Sequence, residues 1–200
     1  MNITHIGLVG YGEVGKIFSA GLRVQPGVAS VAAWDLKLAD PEHRDDLQKH
    51  AAQAGVVAVD AMQALCARCD CIISAVTASN TLAVAQEAAQ HIRPGTVFLD
   101  LNSASPGTKQ QAAALIGARG AHYVEAGVMT SVPPYGIRVP MLLGGAQAAA
   151  LAAVLTSWGM DAQPVSEQLG VASAIKMCRS IMIKGLSLIH ISEPTRPLYI

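Results

Sequence analysis

The feature that most limits the fold of this chain is a glycine pattern near its start, Gly10-Tyr-Gly12-Glu-Val-Gly15. It follows an apolar stretch, His5–Val9, that reads as a strand, and a helix is predicted to begin at Glu13. In such a loop the first glycine permits a tight turn, the second admits a pyrophosphate, and the third allows close helix packing. The free N–H groups at the start of the helix favour the binding of phosphate. The pattern predicts a dinucleotide-binding loop whose cofactor-binding residues are Gly10, Tyr11, Gly12, Glu13, Val14 and Gly15.

Apolar runs and helical stretches alternate along the rest of the chain. Further strands are predicted at Ser30–Trp34, Val56–Ala58, Cys71–Ala75, Thr96–Leu99 and His122–Glu125, with a late strand at Val139–Leu143. Helices are predicted at Glu13–Val24, Pro41–Ala54, Met62–Ala67, Thr81–His91, Pro106–Gly117 and Ala146–Trp158. This alternation is typical of a parallel sheet covered by helices on both faces. We therefore predict an α/β fold, a doubly wound Rossmann domain over residues 1–165.

A carboxylate at the end of the second predicted strand supports the cofactor prediction. Asp35 follows Gly15 by 20 residues, where a carboxylate can accept hydrogen bonds from an adenosine ribose. The same charge repels the 2′-phosphate of NADP, although Lys37 offsets part of that repulsion, so we expect NAD as the preferred cofactor and NADP as the alternative. Two other interpretations stay open: Asp35 only caps a turn, or the loop binds S-adenosylmethionine in a methyltransferase.

Composition excludes several other classes of protein. The chain has 200 residues, 52% of them hydrophobic and 14% charged, and its formal net charge is zero. We therefore expect a sizeable core and no electrostatic attraction to nucleic acid or to an anionic membrane. The longest apolar run, Ala146–Leu155, is too short to cross a bilayer, and the start of the chain does not resemble a secretory signal. A cytoplasmic protein is expected.

Two further features concern metal binding and the end of the chain. Cys66, Cys69 and Cys71 are closely spaced but lack a fourth ligand at a recognisable spacing, so no metal site is predicted. A helix is predicted over Val171–Leu186, within an interdomain segment of residues 166–186, and its polar residues line one face. Residues 187–200 resemble translated sequencing-adapter read-through, so we expect a non-native tail on a C-terminally truncated chain.

Three motifs in order resemble the β-hydroxyacid dehydrogenase family, which includes 6-phosphogluconate and 3-hydroxyisobutyrate dehydrogenases. They are the loop Gly10–Gly15, the segment Asp100–Pro106 and the helix that carries Lys176. Residues 129–136, 139–145 and 175–178 are similar to a branch of 6-phosphogluconate-dehydrogenase-like oxidoreductases of unknown substrate. The resemblance implies hydride transfer between NAD(P) and the hydroxyl of a small, anionic hydroxy acid. It also implies that a mostly missing all-α domain follows the Rossmann domain and forms a homodimer, so this chain is expected to be an inactive fragment.

The resemblance also implies site residues. Lys176 corresponds to the catalytic lysine, a general acid and base, while Asn102 and Ser103 occupy the positions of two substrate-binding hydroxyl residues. Val76 and Thr77 are assigned to the cofactor. Where the family has Ser-Gly-Gly, this chain has Met129, Thr130 and Ser131, and Arg179 and Ser180 replace an asparagine. The substrate pocket is therefore expected to differ from that of the family.

Several alternatives remain open at this stage. Ser103 and Ser105 could serve as helix N-caps, and Lys176 could be a solvated lysine on an amphipathic helix. The whole protein could be an imine or enamine reductase, which shares the overall plan, or a non-catalytic NAD-binding sensor. A lysine acts as a base near neutral pH only if burial or a neighbouring cation lowers its pKa.

Overall fold

The computed structural model describes residues 1–192 of the chain, with side chains for residues 1–185. Eight strands form one sheet in the order β3-β2-β1-β4-β5-β6-β7-β8. The strands are β1 His5–Val9, β2 Ser30–Trp34, β3 Val57–Ala58, β4 Cys71–Ser74, β5 Val97–Asp100, β6 His122–Val128, β7 Met141–Gly144 and β8 Ala162–Ser166. The helices are α1 Glu13–Arg23, α2 Pro41–Gln53, α3 Met62–Arg68, α4 Thr81–His91, α5 Pro106–Gly117, α6 Ala148–Ser157 and α7 Val171–Ser192.

The first six strands run parallel and confirm the predicted doubly wound Rossmann arrangement. The strand order reverses direction between β1 and β4, which is where ligands bind in open α/β sheets. The register aligns the carboxyl ends of neighbouring strands, because Val9 pairs with Ser74 and Ser74 with Asp100. Asp100 in turn pairs with Glu125. Residues that follow these strands therefore meet at one edge of the sheet.

Hydrophobic clusters cover both faces of the sheet. One cluster includes Ile6, Leu8 and Phe18, and the other includes Val9 and Ile72. Successive residues of a strand point to opposite faces, so a strand buried on both sides needs a continuous apolar run. The apolar runs that predict the strands are thus explained by burial on both faces.

The last two strands differ from the prediction of a parallel sheet. Strand β7 runs antiparallel to β6, and β8, which was not predicted, pairs parallel with β7 at the sheet edge. β8 contains Pro164, and its central residues are exposed. An edge strand needs no continuous apolar run and tolerates a proline, so β8 lacks the usual sequence signal.

Helix α7 begins at Val171 as predicted but continues past the expected end at Leu186, to Ser192. Residues 187–192 include no proline or glycine, so their sequence does not break the helix. The predicted tail beyond Ser192 lies outside the described residues. Within the part of the chain that the structure describes, no helix is long and apolar enough to cross a membrane.

Candidate functional site

The glycine loop has the geometry that each of its glycines was predicted to provide. Gly10 has a φ of 91°, and its N–H donates to the carbonyl of Trp34 at 2.9 Å. A Cβ at Gly15 would lie 2.0 Å from the Gly10 carbonyl oxygen, so only glycine lets α1 pack against the loop. A Cβ at Gly12 would meet nothing within 4 Å. The loop is therefore tight on the protein side and open where a pyrophosphate would approach.

Asp35 joins the end of β2 to the glycine loop. Its Oδ2 accepts a hydrogen bond from the Tyr11 N–H at 2.6 Å, and its Oδ1 accepts one from the Lys37 N–H at 2.9 Å. Asp35 thus caps the short 3-10 helix that follows it, as the alternative interpretation proposed. The capping does not exclude ribose binding, since each carboxylate oxygen can accept a second hydrogen bond.

A cavity of about 740 Å³ lies beside the glycine loop, at the carboxyl ends of the parallel strands. It brings together many of the residues predicted for cofactor, substrate and catalysis: Glu13, Val14, Val76, Thr77, Asn102, Ser103 and Lys176. Thr130 and Ser131 also line it, as do Arg179, Ser180 and Lys184 from α7. The other predicted cofactor residues, Gly10, Tyr11, Gly12, Gly15 and Asp35, are not among the residues that line it.

Lys176 reaches across this cavity from the second turn of α7. Its Nζ donates to the Ser103 Oγ at 2.6 Å. Burial lowers the pKa of Lys176, and the ammonium of Lys109 lowers it further, while the Asp100 carboxylate opposes both effects. This environment differs from that of a freely solvated lysine and favours the neutral amine that a general base requires.

Asn102 links the two loops that follow β4 and β5. Its Oδ1 accepts from the Val76 N–H at 2.6 Å, and its Nδ2 donates to the Ser74 Oγ at 2.9 Å. Its own N–H donates to Asp100 Oδ1 at 2.8 Å. Asn102 thereby fixes the spacing between a predicted cofactor residue, Val76, and the neighbouring Ser103. Substrate binding by Asn102 itself stays a prediction.

Beneath the cavity lies a buried ion pair that sequence analysis missed. Lys109 on α5 donates to Asp100 Oδ1 at 3.0 Å and to the Asp100 carbonyl at 2.9 Å, and neither side chain is more than 1% exposed. The Tyr123 hydroxyl donates to Asp100 Oδ2. Lys109 lies in helical phase with the buried Ala112, Ala113 and Ile116, which is the signal that could have revealed its burial.

The cavity wall carries an excess of positive charge. Lys176, Arg179 and Lys184 face a single carboxylate, Glu13, which lies at the glycine-loop end. Among the side chains that the structure describes, none of these three cations forms a salt bridge. The Arg179 guanidinium donates to the Met129 carbonyl, which ties α7 to the segment after β6. The wall that α7 forms is suited to an anion.

The closely spaced cysteines do not take part in this site. Cys66, Cys69 and Cys71 are buried free thiols, and burial raises the pKa of Cys66 and of Cys69 to about 12. Among the residues whose side chains are described, one group of three has potential metal-ligand atoms within 4.8 Å of one another. This group, Asp40, Glu42 and His43, is distant in sequence from the cavity lining and mostly exposed. Asp40 caps α2.

Comparison with solved structures finds two close matches. A conserved hypothetical protein from Sinorhizobium meliloti 1021 is 38% identical, with a TM-score of 0.88 over 96% of this chain and 63% of its own. A conserved protein of unknown function, described as structurally similar to 3-hydroxyacid dehydrogenases, is 30% identical, with a TM-score of 0.77 over 92% of this chain and 66% of its own. The chain thus spans about two thirds of the length of these relatives or slightly less.

More distant structures share the fold alone. A 3-hydroxyisobutyrate dehydrogenase from Mycobacterium tuberculosis is 20% identical over 90% of this chain and 60% of its own, with a TM-score of 0.75. An imine reductase from Myxococcus stipitatus is 21% identical over 94% of this chain and 63% of its own, with the same TM-score. The sequence profile of the NAD binding domain of 6-phosphogluconate dehydrogenase matches residues 5–162. The chain therefore belongs to the 6-phosphogluconate dehydrogenase family and contains its NAD-binding domain.

Proposed function

We propose that the whole protein transfers a hydride between NAD(P) and the hydroxyl of a small hydroxy acid, with Lys176 as general acid and base. The observation that carries this proposal is the 2.6 Å contact between Lys176 Nζ and Ser103 Oγ inside the cavity beside the glycine loop. It places an amine with a lowered pKa next to a hydroxyl at the carboxyl edge of the sheet. Both groups lie where a substrate would meet a cofactor bound at that edge.

The cofactor fits the residues that are present, since Gly12 leaves open space and Gly10 and Gly15 shape the turn. When bound, the nicotinamide supplies the hydride acceptor or donor. Gly12 and the N–H groups at the start of α1 would hold the pyrophosphate, and Asp35 would accept from the ribose. Val76 and Thr77 would border the nicotinamide end of the cavity.

The residues of this chain would supply the proton chemistry. The neutral Lys176 amine accepts the proton of the substrate hydroxyl during oxidation, and the ammonium returns it to the carbonyl oxygen during reduction. Ser103 accepts a hydrogen bond from Lys176, so its own hydroxyl proton is free to bind the substrate oxygen. Ser103 and Lys176 would therefore hold the substrate oxygen within hydrogen-bond distance of the Lys176 amine.

Charge favours a hydroxy acid over an imine. An iminium substrate is cationic, whereas the α7 side of the cavity carries Lys176, Arg179 and Lys184 without a carboxylate among them. Arg179 and Lys184, joined by Lys176 in its ammonium form, would repel an iminium and attract a carboxylate. Imine reduction is therefore the second candidate function. The shared fold supports it, and the positive charge on the α7 side of the cavity argues against it.

The first test is thermal unfolding of the 200-residue chain with NAD, NADP or S-adenosylmethionine. A ligand at a hundredfold excess over its dissociation constant adds about 2.7 kcal/mol of stability. We expect a shift with NAD, a smaller one with NADP and none with S-adenosylmethionine. A folded chain that responds to neither nicotinamide dinucleotide would contradict the proposal, and a response to S-adenosylmethionine alone would point to a methyltransferase.

The second test is turnover. NAD-dependent oxidation of a panel of hydroxy acids is followed by the absorbance of the reduced cofactor, for the whole protein and for its Lys176→Ala variant. Loss of turnover in the variant, with NAD binding retained, supports the general base and excludes a pure sensor. A rate within about twofold of the parent would exclude that role for Lys176. The helical domain and the homodimer stay predictions for the whole protein.

A further inference from the structure

The side chain of Glu125, fully buried on β6, holds the first turn of α7. Its Oε1 accepts from the N–H groups of Gly170 at 2.7 Å and Ala172 at 3.0 Å, and its Oε2 accepts from the Ser173 hydroxyl at 2.7 Å. The first N–H groups of a helix have no partner within the helix, and they carry partial positive charge. The buried Glu125 carboxylate therefore supplies a hydrogen-bond acceptor for these N–H groups and a negative charge beside their partial positive charge.

Two glycines shape the space around this contact. A Cβ at Gly144 on β7 would lie 2.6 Å from Glu125 Oε1, so glycine leaves room for the carboxylate. A Cβ at Gly127 on β6 would lie 2.9 Å from the Ala172 carbonyl oxygen. The backbone of α7 therefore packs directly against β6, and this contact fixes the distance between the helix and the strand.

Lys176 follows Ala172 by one helical turn and sits on the same face of α7. The Lys176 Cβ lies 3.5 Å from the position that a Cβ at Gly127 would take, so the base of the lysine side chain packs against β6. From that point its side chain extends to Ser103, on the loop after β5. A small rotation or translation of α7 would move the ammonium away from that hydroxyl.

We propose that Glu125 is a positioning residue for Lys176: by fixing the first turn of α7, it directs the ammonium to Ser103. The catalytic meaning of this role rests on the proposed function, whereas the contacts themselves need no cofactor. The charged groups that shift the pKa of Lys176 are Lys109 and Asp100, which form the pair beneath the cavity. Arg179 lines the same cavity one turn further along α7. Glu125 therefore acts through the geometry of the helix.

The test measures the pH dependence of lysine acetylation in the folded 200-residue chain, by short labelling and peptide mass spectrometry. In the parent chain we expect Lys176 to become reactive at a lower pH than the exposed Lys49. In Glu125→Ala, the midpoint for Lys176 should rise toward that of Lys49, because the lysine leaves its partly buried position. Amide hydrogen exchange of residues 170–173 should accelerate by about tenfold or more, since the charged acceptor is lost.

Two further variants make the result interpretable. Glu125→Gln keeps the shape of the side chain and should shift both measurements in the same direction by less, so it serves if the alanine variant does not fold. Glu167→Gln removes an exposed carboxylate near the same helix and should change neither measurement.

An unchanged Lys176 midpoint in the folded Glu125 variants would overturn the inference, even if exchange at residues 170–173 became faster. In that case Glu125 stabilises the helix end without positioning the lysine. Failure of the cofactor proposal would be visible elsewhere, as the absence of an NAD-induced shift in unfolding temperature. The two proposals can therefore fail separately.

Discussion

The Lys109 ammonium lies 3.0 Å from the Asp100 carboxylate at the end of β5, and solvent reaches almost none of either side chain. Transfer of two charges from water to a protein interior is costly, and their attraction compensates only while both are present. Asp100 also accepts from the N–H of Asn102, which precedes Ser103. The pair therefore supports the floor of the candidate site.

We expect Lys109→Met to destabilise the chain by about 3–5 kcal/mol, because it leaves the Asp100 carboxylate buried without its cation. Urea unfolding measures the loss, with Lys49→Met, at an exposed position on α2, as the matched control. Adding Asp100→Asn to Lys109→Met should cost less than the sum of the single changes, since neither charge remains. Strict additivity would show that the two groups do not interact.

The glycine loop allows stability and cofactor binding to be separated. Gly12→Ala should leave the free energy of unfolding within about 0.5 kcal/mol, because its Cβ meets nothing within 4 Å. The same methyl group would occupy the space of the pyrophosphate and weaken NAD binding by about tenfold or more. Calorimetric titration with NAD measures the affinity.

Gly15→Ala should behave differently. Its Cβ would lie 2.0 Å from the Gly10 carbonyl oxygen, and overpacking of this kind costs about 1–3 kcal/mol. Both unfolding and NAD titration should therefore detect this change. Equal stability of the Gly12 and Gly15 variants would contradict the packing role assigned to Gly15.

Cofactor preference is expected to depend on Asp35. The parent chain should bind NAD about tenfold more tightly than NADP, because the carboxylate repels a 2′-phosphate. Asp35→Asn should narrow that difference and also weaken NAD binding, since one oxygen that supports the Tyr11 and Lys37 N–H groups becomes an amide nitrogen. Asp45→Asn on α2 serves as the control. Tighter binding of NADP by the parent would reverse the proposed preference.

The lowered pKa of Lys176 predicts opposite pH dependences for the two reaction directions of the whole protein. Oxidation needs the neutral amine, so kcat/KM should rise with pH and level off at a pH below the ordinary titration range of lysine. Reduction needs the ammonium and should fall across the same interval. Lys176→Ala should abolish both dependences. A rise in the rate of reduction with pH would contradict the assignment.

Sequence reasoning identified most of the sheet and the residues that meet at its carboxyl edge. The strands and the glycine loop followed from local rules, because buried strands need apolar runs and the loop needs its glycines, whereas Asn102, Ser103 and Lys176 came from the family resemblance. The direction of β7 could not be predicted in this way, because an apolar run such as Met141–Leu143 looks the same in either direction. Strand β8 was missed because half-exposed edge residues carry no periodic signal.

The groups that support the site were harder to predict. The helical phase of Lys109 could have revealed its burial, but the partners of Lys109 and Glu125 lie on other elements and depend on tertiary contacts that no local pattern records. A carboxylate such as Asp100 at the end of a buried strand does call for a partner, but the sequence does not show which of several cations provides it.

The reversal of β7 has a consequence for how specificity can change in this family. The segment 129–140 connects the end of β6 to the start of the antiparallel β7. The Met129 N–H donates to the Pro140 carbonyl at 2.9 Å where the two ends of the segment meet. Met129, Thr130 and Ser131 line the cavity from this segment, and Glu13 and Val14 line it from the start of α1. Under the proposed function, exchange of residues 129–131 is therefore expected to change the substrate. Ile137 has to be kept, because a Cβ at Gly21 on α1 would lie only 2.5 Å from its side chain and the segment packs there against the cofactor half.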